Sequence, residues 1–175
     1  SLHDALPIML IAIVSLGLVG VVLLISEFLW RTNRVRLETS RKFAHIIIGT
    51  FIASWDFFMA KEEIQVLSII LLFGVLISKK FTLFSSVHGV SRRTWGEPLF
   101  AITVGLVATI TTSPYIFAAA ILYLSLADGL AAVVGVKFGK RTGYSVLGQY
   151  KTLLGSLVFY LVSLSITVWV VAYGP

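Results

Sequence analysis

The chain has 175 residues, of which 58% are hydrophobic and 13% charged, with a net charge of +6 and a mean hydropathy of +0.97. Soluble domains are about one quarter charged, and a soluble fold of this composition would expose large apolar patches. One domain in a lipid bilayer is therefore favoured. The lack of cysteine excludes disulfides and thiolate sites, and the positive charges lie in short clusters between apolar runs, which argues against nucleic-acid binding.

Six apolar runs are long enough, or nearly long enough, to cross a bilayer as helices. We therefore predict an all-α, polytopic membrane bundle of about six transmembrane helices. The predicted spans are 8–30, 43–59, 64–77, 99–112, 115–138 and 153–173. Residues 1–7 are expected to be a non-native or disordered tail, and residues 8–175 a single transmembrane domain, itself expected to be a fragment.

The loops between these spans alternate in charge. The first, third and fifth loops hold all but one of the 14 lysines and arginines, and the exception is Lys61 in the second loop. The positive-inside rule then predicts an external N-terminus and cytosolic basic loops. Topology alone accounts for most of these cations, but not for the other polar residues among them.

The second predicted helix begins with Arg41 and Lys42, and His45 follows within one turn. Residues three and four apart share a helix face, so the three side chains should cluster. An interfacial histidine is most often a satisfied hydrogen-bonding group. Here the neighbouring cations favour a neutral ring, which could accept a proton.

Glu97 is the only acid in a third loop that contains four cations. It either pairs with Arg93 or helps to hold Mg²⁺, whose usual ligands are oxygen atoms beside substrate phosphates.

The fifth predicted span contains Asp128, which is costly inside a bilayer and therefore suggests a polar cavity. Small residues recur around it at helical spacing, at Gly129, Ala132, Gly135 and Gly139. This ridge predicts either tight helix packing or a groove where the backbone approaches a ligand. An unbroken helix would leave Asp128 about 15 Å from its cytosolic end, so we expect a polar cleft or a break near Gly129.

Cations and hydroxyls also collect before the sixth span, where Lys140 and Arg141 are followed by Lys151, Thr152, Gly155 and Ser156. A helix N-terminus with a lysine suits a phosphate group. The alternative is an ordinary interfacial lysine with hydroxyl caps.

Cations and carboxylates from several loops at one membrane face predict a site for a nucleotide triphosphate acting on a lipid. Neither a Walker A motif nor a kinase glycine loop is present, so helix ends would have to form the site.

Four short motifs resemble those of the polyprenol kinase family, which includes phytol kinase, dolichol kinase and CTP-dependent diacylglycerol kinase. They are Arg41-Lys42-x-x-His45-x-x-x-Gly49, Gly96-Glu97, Ala127-Asp128-Gly129-x-Ala131-x-x-x-Gly135-x-x-x-Gly139 and Lys151-Thr152-x-x-Gly155-Ser156. The resemblance spans roughly residues 30–170 and extends distantly to phosphatidate cytidylyltransferase.

This resemblance implies a lipid-kinase-like domain that transfers the γ-phosphoryl group of CTP to a long isoprenoid alcohol or to diacylglycerol. It implies that Asp128 binds metal and nucleotide, that Lys151 binds phosphate, and that Arg41, Lys42 and His45 belong to the site. Gly129, Gly135 and Gly139 would shape the nucleotide cleft. Leu154 departs from the pattern, because many members have an acid before the last glycine.

The expected mechanism is in-line transfer, with Mg²⁺ held by Asp128 and Glu97. Lys151, with Lys140 or Arg141, would neutralise developing charge, and His45 or Asp128 would accept the proton of an alcohol that enters between the second and fifth helices. Cytidylyl transfer to a lipid phosphate is the alternative reaction. A small transporter or scaffold is the alternative class, although no inverted repeat is present. The sequence indicates neither the lipid nor the oligomeric state.

Overall fold

A computed structural model describes residues 2–32, 37–81, 95–139, 142–146 and 149–174. Within these ranges the chain forms seven α-helices, two short helical turns of other kinds and one β-hairpin. The α-helices are α1 (Leu2–Arg31), α2 (Leu37–Ala53), α3 (Lys61–Lys80), α4 (Gly96–Ile110), α5 (Pro114–Leu122), α6 (Asp128–Phe138) and α7 (Leu153–Tyr173). A 3₁₀ turn spans Trp55–Phe57, a π-helical turn spans Tyr123–Ala127, and the strands are β1 (Gly143–Val146) and β2 (Gln149–Thr152).

The architecture confirms the predicted bundle of membrane helices. In the part of the chain that the structure describes, three helical segments are long and apolar enough to cross a bilayer: Leu10–Arg31, Pro114–Phe138 and Leu153–Tyr173. The second of them joins α5, the π-helical turn and α6. Helix α4 is apolar but shorter, so the number of spans and their orientation stay predictions.

Local sequence explains several of the helix ends. Helix α3 has Glu62 and Glu63 in its first turn and two lysines in its last, which complements the helix dipole. The Glu63 carboxylate accepts the Ala60 N–H at 3.0 Å. Pro114 occupies the first turn of α5, where its missing N–H costs nothing. The Thr152 hydroxyl caps α7 by accepting the Gly155 N–H at 3.1 Å.

The buried core lies where α2, the 3₁₀ turn, α3, α4 and α5 meet, with Trp55, Ile64, Val104, Phe117 and Ile121 fully buried. Elsewhere the outer helix surfaces are apolar and exposed, as on α7, where few residues are buried. Such an arrangement suits helices surrounded by lipid, since lipid tails satisfy apolar side chains as well as a protein core does.

Antiparallel strands β1 and β2 form a hairpin that the sequence analysis does not predict. Tyr144 pairs with Lys151 and Ser145 with Tyr150. The hairpin connects α6 to α7 and is mostly exposed, and its last residue, Thr152, is the N-cap of α7. It therefore carries Lys151 to the beginning of the last helix.

Candidate active site

Helix α2 packs closely against the π-helical turn and α6 through two glycines. A Cβ atom at Gly49 would overlap the side chain of Ser125, and one at Gly129 would overlap Ile46. The two segments run in opposite directions at this contact, since Gly49 lies against Ser125 and Gly129 against Ile46, so the first half of α2 runs alongside α6. Close approach at the glycines therefore positions the polar residues of the two segments together.

The contact between the two segments brings Lys42 beside Asp128, and their side chains form an ion pair. Lys42 Nζ donates to Asp128 Oδ2 at 2.8 Å. The Lys42 side chain is 18% exposed, whereas that of Asp128 is 48% exposed. The Asp128 side chain is thus about half exposed although it is paired with a cation.

His45 lies one turn further along α2 and contacts the π-helical turn. Its Nε2–H donates to the Leu124 carbonyl at 3.1 Å, and its ring packs edge-on against Phe100 with centroids 4.9 Å apart. The π-helical winding widens the helix at this level, and the Asp128 N–H reaches back to the Tyr123 carbonyl. With Nε2 donating, the neutral ring presents Nδ1 as its acceptor.

Glu97 joins α4 to both α2 and α3. Its Oε2 accepts from Lys79 Nζ at 2.9 Å, and Arg41 Nη1 lies 3.5 Å from its Oε1. Glu97 precedes the fourth predicted span, and its side chain is 17% exposed. Burial raises the pKa of its carboxyl, but the hydrogen bond and charge of Lys79, with the charge of Arg41, outweigh burial and hold that pKa below its usual value. Arg93, the pairing partner considered from the sequence, lies outside the described residues.

Residues around the hairpin are the third group that the sequence analysis assigns to the site. Lys151 is exposed on β2, and an attractive electrostatic interaction connects it to Asp128. Ser156, in the first turn of α7, shares a hydrogen bond of 2.7 Å with the Tyr144 hydroxyl of β1. Lys140 and Arg141, which the sequence analysis also assigns to phosphate binding, lie outside the described residues.

The remaining predicted glycines lie at the contact between α6 and α7. A Cβ at Gly135 would stand 2.7 Å from Thr152 Oγ1, one at Gly139 would stand 2.6 Å from the same atom, and one at Gly155 would stand 2.9 Å from the Ala131 carbonyl. Each position needs glycine because of helix packing. Their part in a nucleotide cleft stays a prediction.

A cavity of about 740 Å³ opens beside these charged groups. Its polar end is formed by Arg41, Lys42, His45, Glu97 and Asp128. Its other walls are mainly apolar and come from α1, α2, α3 and α4, with Tyr123, Leu124 and Phe159 completing them. Along α2 the cavity extends from Lys42 to Ile52, a distance of about 15 Å at helical rise. The sequence analysis placed lipid entry between the second and fifth predicted helices. Besides α1 to α4, the cavity is bordered by Tyr123, Leu124 and Asp128 of the fifth predicted span, and the route of entry stays a prediction.

Asp128 is the carboxylate of this group that could contact a cation such as Mg²⁺, which commonly uses one or two carboxylates together with substrate phosphates and water. Its side chain is about half exposed, and Lys42 Nζ contacts its Oδ2. In contrast, both oxygens of Glu97 face cations. No group of three or more His, Asp and Glu side chains among the described residues could hold a metal ion.

Charged residues from separate predicted loops thus meet at one end of the bundle. The opposite end has its own ion pair, between Lys61 and Asp56, and Lys61 lies 5.4 Å from the Phe117 ring centroid. The ion pairs at the two ends have different surroundings. The Lys61–Asp56 pair lies between packed helices, whereas the Lys42–Asp128 pair borders a cavity.

Comparison with known proteins supports a relationship to polyprenol and phytol kinases, as the four motifs predict. The chain is 28% identical to a phytol kinase from Synechocystis sp. (strain ATCC 27184 / PCC 6803 / Kazusa) over 173 residues, which cover 97% of the chain and 74% of that protein. No protein-family model matches the chain. No solved structure matches it significantly.

Proposed function

We propose that the chain is a membrane-embedded lipid kinase that transfers the γ-phosphoryl group of a nucleotide triphosphate to the hydroxyl of a long-chain isoprenoid alcohol or of diacylglycerol. CTP is the proposed donor, and phytol, farnesol, dolichol and diacylglycerol are the candidate acceptors. The observation that carries the proposal is the cavity with one charged end and an apolar body. The similarity to a phytol kinase supports the same reaction class.

The cavity matches the two chemical parts of such an alcohol. An isoprenoid chain has no hydrogen-bonding groups, so its favourable place is the apolar body between α1 and α4. The hydroxyl then lies among Lys42, His45 and Asp128 at the polar end. A carrier of ions or polar solutes would instead need polar groups on both sides of the substrate path, whereas the far walls here are apolar.

In the reaction, the alcohol oxygen forms a bond to the γ-phosphorus while the bond from that phosphorus to the β-phosphate oxygen breaks, and the nucleoside diphosphate leaves. Mg²⁺ on the phosphates would neutralise charge on their oxygens. Asp128 is the proposed ligand for it, and Glu97 would join only after releasing Lys79 or Arg41. Lys42 and Lys151 stabilise the anionic phosphates near Asp128, and Lys140 or Arg141 is proposed to assist.

The alcohol proton needs an acceptor, and His45 Nδ1 is the proposed one, with Asp128 as the alternative. Proton transfer contributes less than charge stabilisation in phosphoryl transfer, because the transition state is loose. The largest part of the rate acceleration is therefore assigned to the cations and to positioning of the hydroxyl by the cavity.

The test is product identification with purified protein in lipid nanodiscs. CTP or ATP labelled in the γ-phosphate is offered with each of the four candidate acceptors, and products are separated by thin-layer chromatography. Label in an alkyl phosphate with release of CDP or ADP supports the proposal. Pyrophosphate release with a lipid phosphate as acceptor would instead assign cytidylyl transfer, and absence of any labelled lipid would overturn both assignments.

A further inference from the structure

Two glycines line the apolar body of the cavity from different helices. Gly20 belongs to α1 and Gly74 to α3, and both contribute to the cavity wall. A Cβ atom added at either position would meet no atom within 4 Å. The space that a side chain would occupy at these positions is therefore open.

Helix packing does not explain these two glycines, in contrast to the glycines of the α2–α6 and α6–α7 contacts. Gly49, Gly129 and Gly135 each have a neighbouring helix in the place of a Cβ atom. Glycine inside a helix is about 1 kcal/mol less favourable than alanine. At Gly20 and Gly74 no helix contact offsets this cost. What glycine does at these two positions is leave volume free in the cavity.

Both glycines lie midway along the cavity. On α3, Ser78 marks the polar end and Ile70 the far end, so Gly74 is about 6 Å from each at helical rise. On α1, the wall extends from Leu23 to Leu16 with Gly20 between them. A side chain at either glycine would consequently divide the apolar body and leave the charged end unchanged.

We propose that Gly20 and Gly74 determine the chain length of the bound alcohol by keeping the middle of the cavity open. This inference rests on the proposed function, because it assigns the cavity to the alcohol chain. Short prenols need only the part near Lys42, whereas longer ones must pass the glycines to reach Leu16 and Ile70. Leucine at Gly74 or Gly20 then excludes the long chains selectively.

The test compares wild type with Gly74→Leu and Gly20→Leu, using geraniol, farnesol and geranylgeraniol, which lengthen by one isoprene unit at each step. Equilibrium binding of each labelled alcohol is measured in nanodiscs without nucleotide, and phosphoryl transfer is measured separately. The variants should bind geranylgeraniol about tenfold or more weakly, because a hydrophobic pocket rejects methylenes that it cannot accommodate by such factors. Geraniol binding should change less than twofold, within the scatter of about 0.4 kcal/mol expected for an unaffected site.

Gly17→Leu is the matched control. Gly17 is also on α1 and also has open space at its Cβ position, but it does not line the cavity. Its affinities for the three alcohols should equal those of wild type. Equal loss for all three alcohols, unchanged affinities in both cavity variants, or no alcohol binding by wild type would each overturn the inference. Because binding is read without nucleotide, a chain that binds prenols selectively but transfers no phosphate would contradict the proposed function alone.

Discussion

Lys42 and Asp128 are 86 positions apart in the chain, yet their side chains form an ion pair of 2.8 Å at the polar end of the cavity. The pair joins the beginning of α2 to the first residue after the π-helical turn. It leaves the Asp128 side chain about half exposed. A carboxylate that is held by one cation and still partly exposed can contact a ligand, and we expect this pair to be the centre of phosphoryl transfer.

The Lys42→Gln variant should lose kcat/KM by about tenfold to a hundredfold, because it removes a cation that both orients Asp128 and faces the phosphates. Initial rates with labelled CTP and phytol measure the loss. Lys80→Gln is the matched control, since Lys80 is an exposed lysine at the end of α3 that does not line the cavity. Its rate should stay within about twofold of wild type, and equal rates for both variants would contradict a role for Lys42.

His45 can be tested as a proton acceptor separately from its bond to Leu124. In His45→Gln the side-chain amide can still donate to the Leu124 carbonyl, but it cannot accept a proton. Because proton transfer contributes less than charge stabilisation in phosphoryl transfer, we expect kcat to fall only about tenfold in both His45→Gln and His45→Ala. Near-normal kcat in the glutamine variant with loss in the alanine variant would make His45 a positioning residue for the π-helical turn, and Asp128 the acceptor.

Glu97 should stabilise the fold in a pH-dependent way, because its pKa is held below its usual value by Lys79 and Arg41. The contribution is complete above the unfolded pKa of about 4.3 and is lost as pH falls through the lower folded pKa. Glu97→Gln should therefore lower the thermal midpoint by a few degrees at pH 7, corresponding to roughly 1–3 kcal/mol.

The difference in thermal midpoint between wild type and Glu97→Gln should become smaller as the pH is lowered. Thermal unfolding in detergent at pH 7, 5 and 3.5 measures it. Glu62→Gln is the control, because Glu62 is exposed in the first turn of α3. A Glu97→Gln effect that grows towards low pH would contradict the sign of the shift.

Gly135→Ala should destabilise the fold although alanine is the better helix former. The new Cβ would stand 2.7 Å from Thr152 Oγ1, the atom that caps α7, and overpacking of this kind costs about 1–3 kcal/mol. Gly17→Ala, where nothing lies within 4 Å, should instead raise the thermal midpoint slightly. If both substitutions stabilise the protein, the α6–α7 contact is looser than described.

Hydropathy and motif spacing predict the helical bundle, because long apolar runs and small-residue ridges have clear periodic patterns. The family resemblance, in turn, implies that Lys42, His45 and Asp128 belong to one site. The ion-pair partners of Glu97 could not be predicted in this way. Several loop cations could reach this carboxylate, and the packing of α3 against α4 decides which of them does. Lys79 and Arg41 reach it in the structure, and no spacing rule distinguishes them from Arg93.

Two other features have little sequence signal. In the π-helical turn at Tyr123–Ala127 an N–H bonds to the carbonyl five residues earlier, where an α-helix has four, and no residue type in the sequence marks this change. The hairpin strands have four residues each, too short for alternation to be recognised between apolar spans. The cavity walls also depend on packing, because apolar side chains that face lipid and those that face a cavity look alike.

The most direct test of phosphoryl transfer at this site is the initial rate of phytol phosphorylation by Asp128→Asn. Asparagine keeps the shape of aspartate but removes the charge that pairs with Lys42 and that is proposed to bind Mg²⁺. With labelled CTP and matched protein levels, the rate should fall at least 100-fold, while Glu62→Gln should retain the wild-type rate. A full wild-type rate in Asp128→Asn would contradict the assignment of catalysis to this end of the cavity.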